Sequence, residues 1–99
     1  MTNKHLSPEM QDLFAAILRL ETVDECAAFF EDICTIKEVQ DITQRLRVAA
    51  MLADKKNYQE ISAATGASTA TICRVNKCLT YGEGYRRMLD KIREQNEEN

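Results

Sequence analysis

Residues Tyr58 to Leu79 read YQEISAATGASTATICRVNKCL. This pattern predicts a short helix, with Ile61 and Ala64 facing inward, that stops at Gly66. Glycine adopts without strain the left-handed backbone that a helix end and a tight turn require. Ser68 follows at the position where its hydroxyl can cap a second helix by accepting from free backbone N–H groups. We therefore predict two short helices joined by a glycine turn.

The second helix carries its aliphatic side chains three and four residues apart, as a buried stripe requires, at Ile72, Val75 and Leu79. Its first residues, Thr69 and Ala70, are small, and small side chains let a helix N-terminus approach base edges closely. The segment therefore predicts a helix-turn-helix that reads DNA. A glycine between two short helices also occurs in ordinary helical hairpins. The alternative is a helical protein-interaction module that uses the pair for packing or for docking a partner.

Basic and small polar side chains of this region are the candidates for contact with double-stranded DNA. The expected phosphate contacts are Lys55, Lys56, Arg74 and Lys77. The expected contacts to base edges, or positions close to the groove, are Thr69, Ala70, Thr71 and Cys73. Gln59 and Ser68 complete the predicted DNA-binding set.

The distribution of charge supports this choice more than the net charge does. The whole chain carries a formal charge of −3. Residues 1–43 contain three basic and nine acidic side chains, whereas residues 44–81 contain six basic and two acidic ones. The positive block coincides with the predicted helix-turn-helix, where phosphate charge would have to be neutralised. A solvated basic surface without a DNA partner would show the same modest excess.

The composition indicates a small helical protein. The 99 residues are 44% apolar and 29% charged, which is typical of a globular chain, and they include one proline and three glycines. A chain of this length fits one domain with a limited core. Small helical chains with apolar stripes often complete their core by association, so we expect a homodimer. No apolar run approaches the ~18 residues of a membrane span, and the first residues lack a secretory signal, so a cytoplasmic location is expected.

No catalytic or metal-binding constellation is evident. The four cysteines, which we expect to be reduced in the cytoplasm, are Cys26, Cys34, Cys73 and Cys78. Their spacing contains no Cys-x-x-Cys pair, and the single histidine lies near the N-terminus. We therefore expect no metal, no cofactor and no enzymatic activity. A structural enzyme subunit without a site of its own remains a further alternative.

Capping patterns mark the remaining helices. Ser7-Pro8 begins the first, Thr22 with Glu25 the second, and Thr35 with Glu38 a third that runs to about residue 53. The expected core face of the third helix comprises Val39, Ile42, Leu46, Ala49, Ala50 and Ala53. We thus divide the single domain 1–99 into dimerisation helices over 7–53, the helix-turn-helix over 58–79, and a last helix over 84–94. A loop over 81–84 and a frayed tail from residue 94 are expected around that helix.

From Thr35 to Ile92 the chain resembles the tryptophan repressor superfamily, and more closely its YerC/YecD branch of TrpR-related proteins. The resemblance is carried by Gln44-Arg45-Leu46-Arg47-Val48 and by the stretch from Thr65 to Leu79, with its Gly-Ala turn and Ala-Thr-Ile-Cys-Arg sequence. It implies an all-α fold of six helices, an intertwined homodimer, and a sequence-specific transcriptional regulator, such as a repressor. Dimers of this kind present recognition helices to successive major grooves about 34 Å apart.

The resemblance also implies a possible effector pocket. Arg45 and Arg74 match two arginines that flank the indole of the tryptophan corepressor, and Thr35 matches a threonine near its amino group. A glycine that leaves room for the ring is replaced by Val75, and a serine that holds the ligand is replaced by Cys78. The valine side chain adds three carbons to the ligand's space, and such overpacking is unfavourable. Tryptophan is therefore not expected to act as a corepressor.

Overall fold

Six helices make up the part of the chain that the computed structural model describes, residues 5–98. They are α1 (Pro8–Ile17), α2 (Val23–Ile33), α3 (Ile36–Ala53), α4 (Tyr58–Thr65), α5 (Thr69–Tyr81) and α6 (Gly84–Glu98). No strand occurs within these residues, which confirms the predicted all-α class. The chain divides into two compact units, one up to Val39 and one from Gln40 onward. Helix α3 thus begins in the N-terminal unit and continues in the C-terminal one.

Local hydrogen bonds begin the helices of the N-terminal unit where the sequence predicts. The Ser7 hydroxyl accepts from the Met10 N–H at 3.1 Å. Thr35 and Glu38 form a complete capping box, with the Thr35 N–H donating to the Glu38 carboxylate at 2.8 Å and the Glu38 N–H donating to the Thr35 hydroxyl at 3.1 Å. At the second helix the carboxylate of Glu25 reaches one residue further back and accepts from the Glu21 N–H at 3.0 Å.

The N-terminal unit leaves its apolar side chains open. No residue of α1 or α2 is buried. Leu18 and Val23 are each 84% exposed. Phe29 and Phe30 are half-buried and meet edge to face, with ring centroids 5.6 Å apart. This unit therefore carries an apolar surface that its own helices do not cover.

The core lies in the C-terminal unit. Its fully buried cluster joins three helices and the turn, and consists of Val48, Ala49, Ile61, Ala67, Ile72 and Val75. Leu79 is also buried. The predicted burial of the α5 stripe and of Ile61 is thus confirmed, whereas the prediction for Ala64 is wrong, because Ala64 is exposed.

The predicted core face of α3 is confirmed only in part. Of its six residues only Ala49 is buried, while Ile42 and Leu46 are 46% and 39% exposed. Val48, which the predicted face omits, is fully buried. Two apolar faces run along this helix, and the cluster with α4 and α5 covers the one that contains Val48.

The two C-terminal helices are longer than predicted. Helix α5 continues to Tyr81 and ends at Gly82, whose backbone is extended, so the predicted loop shrinks to residues 82–83. Helix α6 begins at Gly84 and reaches Glu98, so the predicted end at residue 94 is four residues too early. The last residue of the predicted frayed tail, Asn99, lies outside the described residues. Glutamate and glutamine favour helix, and no proline or glycine interrupts this segment.

Within residues 5–98, no helix is both long enough and apolar enough to cross a membrane. The same residues contain no group of three or more His, Cys, Asp or Glu side chains that could hold a metal ion.

Candidate nucleic-acid interface

Helix α4 begins with a complete capping box formed by Asn57 and Glu60. The Asn57 side-chain oxygen accepts from the Glu60 N–H at 2.8 Å, and the Glu60 carboxylate accepts from the Asn57 N–H at 3.2 Å. These two bonds satisfy donors that the first turn would leave free. Gln59, a predicted DNA contact, is exposed in this first turn.

The turn between α4 and α5 is held by its own polar groups. Gly66 has φ +75°, the left-handed conformation predicted for it, and its N–H donates to the Ser62 carbonyl at 2.9 Å. The Thr65 hydroxyl donates to the Ile61 carbonyl at 2.7 Å and accepts from the Ala67 N–H at 3.1 Å. The Ser62 hydroxyl donates to the Ala67 carbonyl at 3.0 Å. Ala67 itself is buried, so the turn is also anchored in the core.

Ser68 caps α5 as predicted. Its hydroxyl oxygen accepts from the Thr71 N–H at 3.2 Å, and the hydroxyl donates to the Thr71 Oγ1 at 3.1 Å. The cap thereby engages two members of the predicted DNA-binding set with each other. Thr71 is half-buried, whereas Ser68 and the two residues that follow it, Thr69 and Ala70, are exposed.

The exposed side of α5 is polar and basic. Its three large aliphatic residues, Ile72, Val75 and Leu79, are all buried. Between Thr69 and Leu79 the exposed residues are Thr69, Ala70, Cys73, Arg74, Lys77 and Cys78. This stretch contains no acidic residue. The helix therefore presents two cations and small side chains to solvent.

Lys55 and Lys56 stand in the turn between α3 and α4, and both are exposed. The Lys56 N–H donates to the Met51 carbonyl and the Lys55 N–H to the Leu52 carbonyl, each at 3.0 Å, as in a Schellman helix end. Lys55 occupies the position that usually holds glycine and has φ +67°. Within residues 5–98 neither lysine forms an ion pair, and the same holds for Arg74 and Lys77.

Tyr58 links the two helices of the pair, which the sequence did not indicate. It is half-buried and packs against the core cluster that includes Ile72 and Val75 of α5. Partial burial raises the pKa of the Tyr58 hydroxyl, and the hydrogen bond and charge of Cys73 raise it further, while the hydrogen bond with Asn76 lowers it. Tyr58 stands at the first position of its helix, and no periodicity distinguishes such a residue in a sequence.

Two side chains of α3 also reach the end of α4. The Gln44 amide donates to the Thr65 carbonyl at 3.1 Å, and the Arg47 guanidinium donates to the Ala64 carbonyl at 3.3 Å. Both residues lie in a motif that carries the family resemblance, yet their partners are 17 to 21 positions away. Periodicity within one helix cannot reveal contacts of that separation.

The predicted effector-pocket residues are only partly brought together. Arg45 and Cys78 line an open groove of about 590 Å³, together with Ile42, Leu46, Gly82, Gly84, Tyr85 and Met88. Val75 is buried in the core, and Arg74 is exposed on α5 outside this lining. Thr35 belongs to the N-terminal unit, where it caps α3. The groove is therefore lined mainly by apolar side chains, with a single cation.

Six helices and a capped helix-turn-helix on an apolar core define this chain as a member of the Trp repressor protein family, whose model matches residues 8–93. The uncharacterized protein YerC of Bacillus subtilis (strain 168) is 49% identical over 87 residues, which cover 87% of this chain and 84% of YerC.

Two solved structures share the fold. The crystal structure of a TrpR-like protein from Eubacterium eligens ATCC 27750 is 47% identical and has a TM-score of 0.87, covering 92% of this chain and 95% of that one. A protein from Staphylococcus aureus, whose crystal structure is described as that of a candidate Trp repressor, is 43% identical with a TM-score of 0.85 and covers 88% of each chain. The resemblance to the family and the six-helix fold are thereby confirmed.

Proposed function

We propose that this protein is a sequence-specific DNA-binding transcriptional regulator that acts through the α4–α5 helix-turn-helix. The observation that carries the proposal is the exposed side of α5 between Thr69 and Leu79, which is basic and polar while the large aliphatic side chains of this stretch are buried. A helix that docks a protein partner would expose apolar residues at its centre. Membership of a repressor family supports the same role.

The phosphate contacts in this proposal come from four unpaired cations, Lys55, Lys56, Arg74 and Lys77. Thr69, Ala70 and Cys73 lie on the exposed start of α5, where a recognition helix approaches base edges. Gln59, Ser68 and Thr71 border this surface, and Ser68 and Thr71 also hold the cap. The location that follows from a DNA partner in a bacterial family is the cytoplasm.

The acting form in this proposal is a homodimer. Helices α1 and α2 contain no fully buried residue, and a cluster of exposed apolar side chains indicates an interaction site. Residues 7–53 would supply the dimer interface, and two copies of α5 would then reach successive major grooves. Light scattering at micromolar concentration should give twice the 11.3 kDa mass of the chain. A monomer would contradict the dimer.

Selection from a random pool of duplex DNA tests the sequence-specific role. We expect enrichment of one inverted repeat, since a symmetric dimer reads two copies of a half-site. If no sequence is enriched while the protein is folded and dimeric, the helix pair serves packing or protein docking instead.

Salt dependence tests the assigned contacts. Removing one cation that binds a phosphate should lower the slope of log affinity against log salt concentration by about 0.9. Arg74→Ala and Lys77→Ala should each produce this change. Lys91→Ala is a matched control because Lys91 is also an exposed cation but lies on α6. Unchanged affinity and slope in the α5 variants would place the DNA surface elsewhere.

Tryptophan has no role in this proposal, because the position that would admit its indole is filled. Val75, which stands at the position expected to admit the indole, is 1% exposed. Moving it would disturb a closely packed core. We therefore propose that DNA binding requires no tryptophan corepressor.

A further inference from the structure

The end of α4 is tied to α3 by two donors on one face of that helix. Gln44 and Arg47, three residues apart, donate to the adjacent carbonyls of Thr65 and Ala64. The last carbonyls of a helix have no partner within it. Helix α4 has only eight residues, so these carbonyls form a large share of its polar backbone.

The carbonyl that accepts from Gln44 adjoins the turn between α4 and α5, the two helices that we call the reading pair. Thr65 precedes Gly66, and α5 begins at Thr69. The Gln44 nitrogen also lies 4.0 Å from the point where a side chain on Gly66 would begin. This amide is half-buried and spans 21 residues of sequence to reach its acceptor.

Besides the hydrogen bonds of Gln44 and Arg47, α3 contacts the reading pair through apolar packing. Val48 and Ala49 pack in the same cluster as Ile61 and Ile72. Burial of apolar area stabilises without fixing direction, whereas a hydrogen bond constrains both distance and angle. The Gln44 bond is therefore suited to setting the orientation of the turn, and with it the start of α5, relative to α3.

We propose that Gln44 is a positioning residue for DNA recognition. It would determine selectivity for a DNA sequence without touching the DNA. The inference rests on the proposed function. Direct readout needs side chains aligned with base edges, whereas phosphate attraction tolerates small changes of angle. Loss of the Gln44 bond should therefore reduce sequence selectivity and leave sequence-independent binding intact.

The test compares Gln44→Met with Gln95→Met. Methionine keeps the length of glutamine but removes both amide donors. Gln95 is an exposed glutamine of the same unit, on α6 and outside the proposed dimerisation and DNA-binding residues, so it controls for the substitution itself. Affinities for an enriched sequence and for a scrambled duplex are measured at a temperature where circular dichroism shows every protein fully folded.

We expect Gln44→Met to lower the ratio of specific to non-specific affinity about fivefold, as for loss of one neutral hydrogen bond. On scrambled DNA, the slope of log affinity against log salt concentration should equal that of the unsubstituted protein. Gln95→Met should change neither the affinity ratio nor this slope. If Gln44→Met does not fold, Gln44→Asn replaces it. The asparagine amide is one methylene shorter, so it would stand beyond hydrogen-bond distance of the carbonyl that Gln44 reaches at 3.1 Å.

Suppose that the unsubstituted protein is selective and that Gln44→Met leaves the ratio of specific to non-specific affinity unchanged within about twofold. This result would overturn the role of Gln44 but not the proposed function. An equal fall in the affinity ratio of Gln95→Met, or a fall of the same size in the non-specific affinity of Gln44→Met, would overturn it as well. Absence of any preference in the unsubstituted protein would refute the proposed function, and this inference with it.

Discussion

Replacing Lys55 by glycine should make the protein more stable. Lys55 has φ +67°, a left-handed conformation that is unfavourable by about 1–2 kcal/mol for a residue with a Cβ atom. Glycine removes this strain but loses about 0.5–1 kcal/mol because its unfolded chain is more flexible. The difference predicts a gain of about 0.5–1 kcal/mol in the free energy of unfolding, or roughly 4 °C in Tm for a domain of this size.

Lys56→Gly is the matched control. It removes the same charge from the neighbouring exposed position, whose φ is not positive. Only the entropic loss of about 0.5–1 kcal/mol then applies, so its Tm should fall. Thermal unfolding followed by circular dichroism at one fixed protein concentration makes the comparison, because the Tm of an associating protein depends on concentration.

The DNA affinity of the two variants should move together although their stabilities diverge. Each loses one lysine from the proposed phosphate-binding set, so each salt slope should fall by about 0.9. The reasoning about backbone strain is refuted if Lys55→Gly unfolds at the same or a lower temperature than the unsubstituted protein. A stabilised variant with unaltered DNA binding would instead remove Lys55 from the interface.

Three further outcomes are expected. Gly66→Ala should lower the free energy of unfolding by about 1 kcal/mol, because residue 66 has φ +75°; urea titration checks this. Gly82→Ala should lower the Tm, since its Cβ would stand 2.8 Å from the Cys78 carbonyl oxygen, whereas Gly84→Ala, with nothing within 4 Å, should not. Calorimetry should show no saturable tryptophan binding below about millimolar concentration, the range of weak complexes. Binding by Val75→Gly alone would identify Val75 as the obstacle, and binding by the unsubstituted protein would contradict its role.

Features that depend on neighbouring residues were predictable from the sequence. The caps at Ser7, Thr35, Asn57 and Ser68 each need partners within three residues, and all four are formed. The α5 stripe follows from spacing alone, and Gly66 from the backbone that its turn requires. These local signals predicted the helix-turn-helix over 58–79, within two residues of the observed ends of α4 and α5.

Features that depend on distant packing were not predictable in the same way. Helix α3 is apolar on two faces, and its periodicity could not show that Val48 rather than Ile42 joins the core of its unit. The contacts of Gln44 and Tyr58 link different helices, and their partners are set by how those helices pack. The two arginines expected to flank one ligand do not line the same groove, for the same reason: Arg45 is in the groove lining and Arg74 is outside it.

The open surface of the N-terminal unit has a consequence during synthesis. Ribosomes deliver a chain from its N-terminus at about 5–20 residues per second, so α1 and α2 emerge before the residues that form the core. Neither helix contains a fully buried residue, so in the proposed homodimer they would gain most of their stability when a second chain covers them. In the proposed homodimer, folding of this part would include an encounter between two chains, and its rate would rise with the local concentration of nascent protein. Neighbouring ribosomes on one messenger RNA would supply such a concentration.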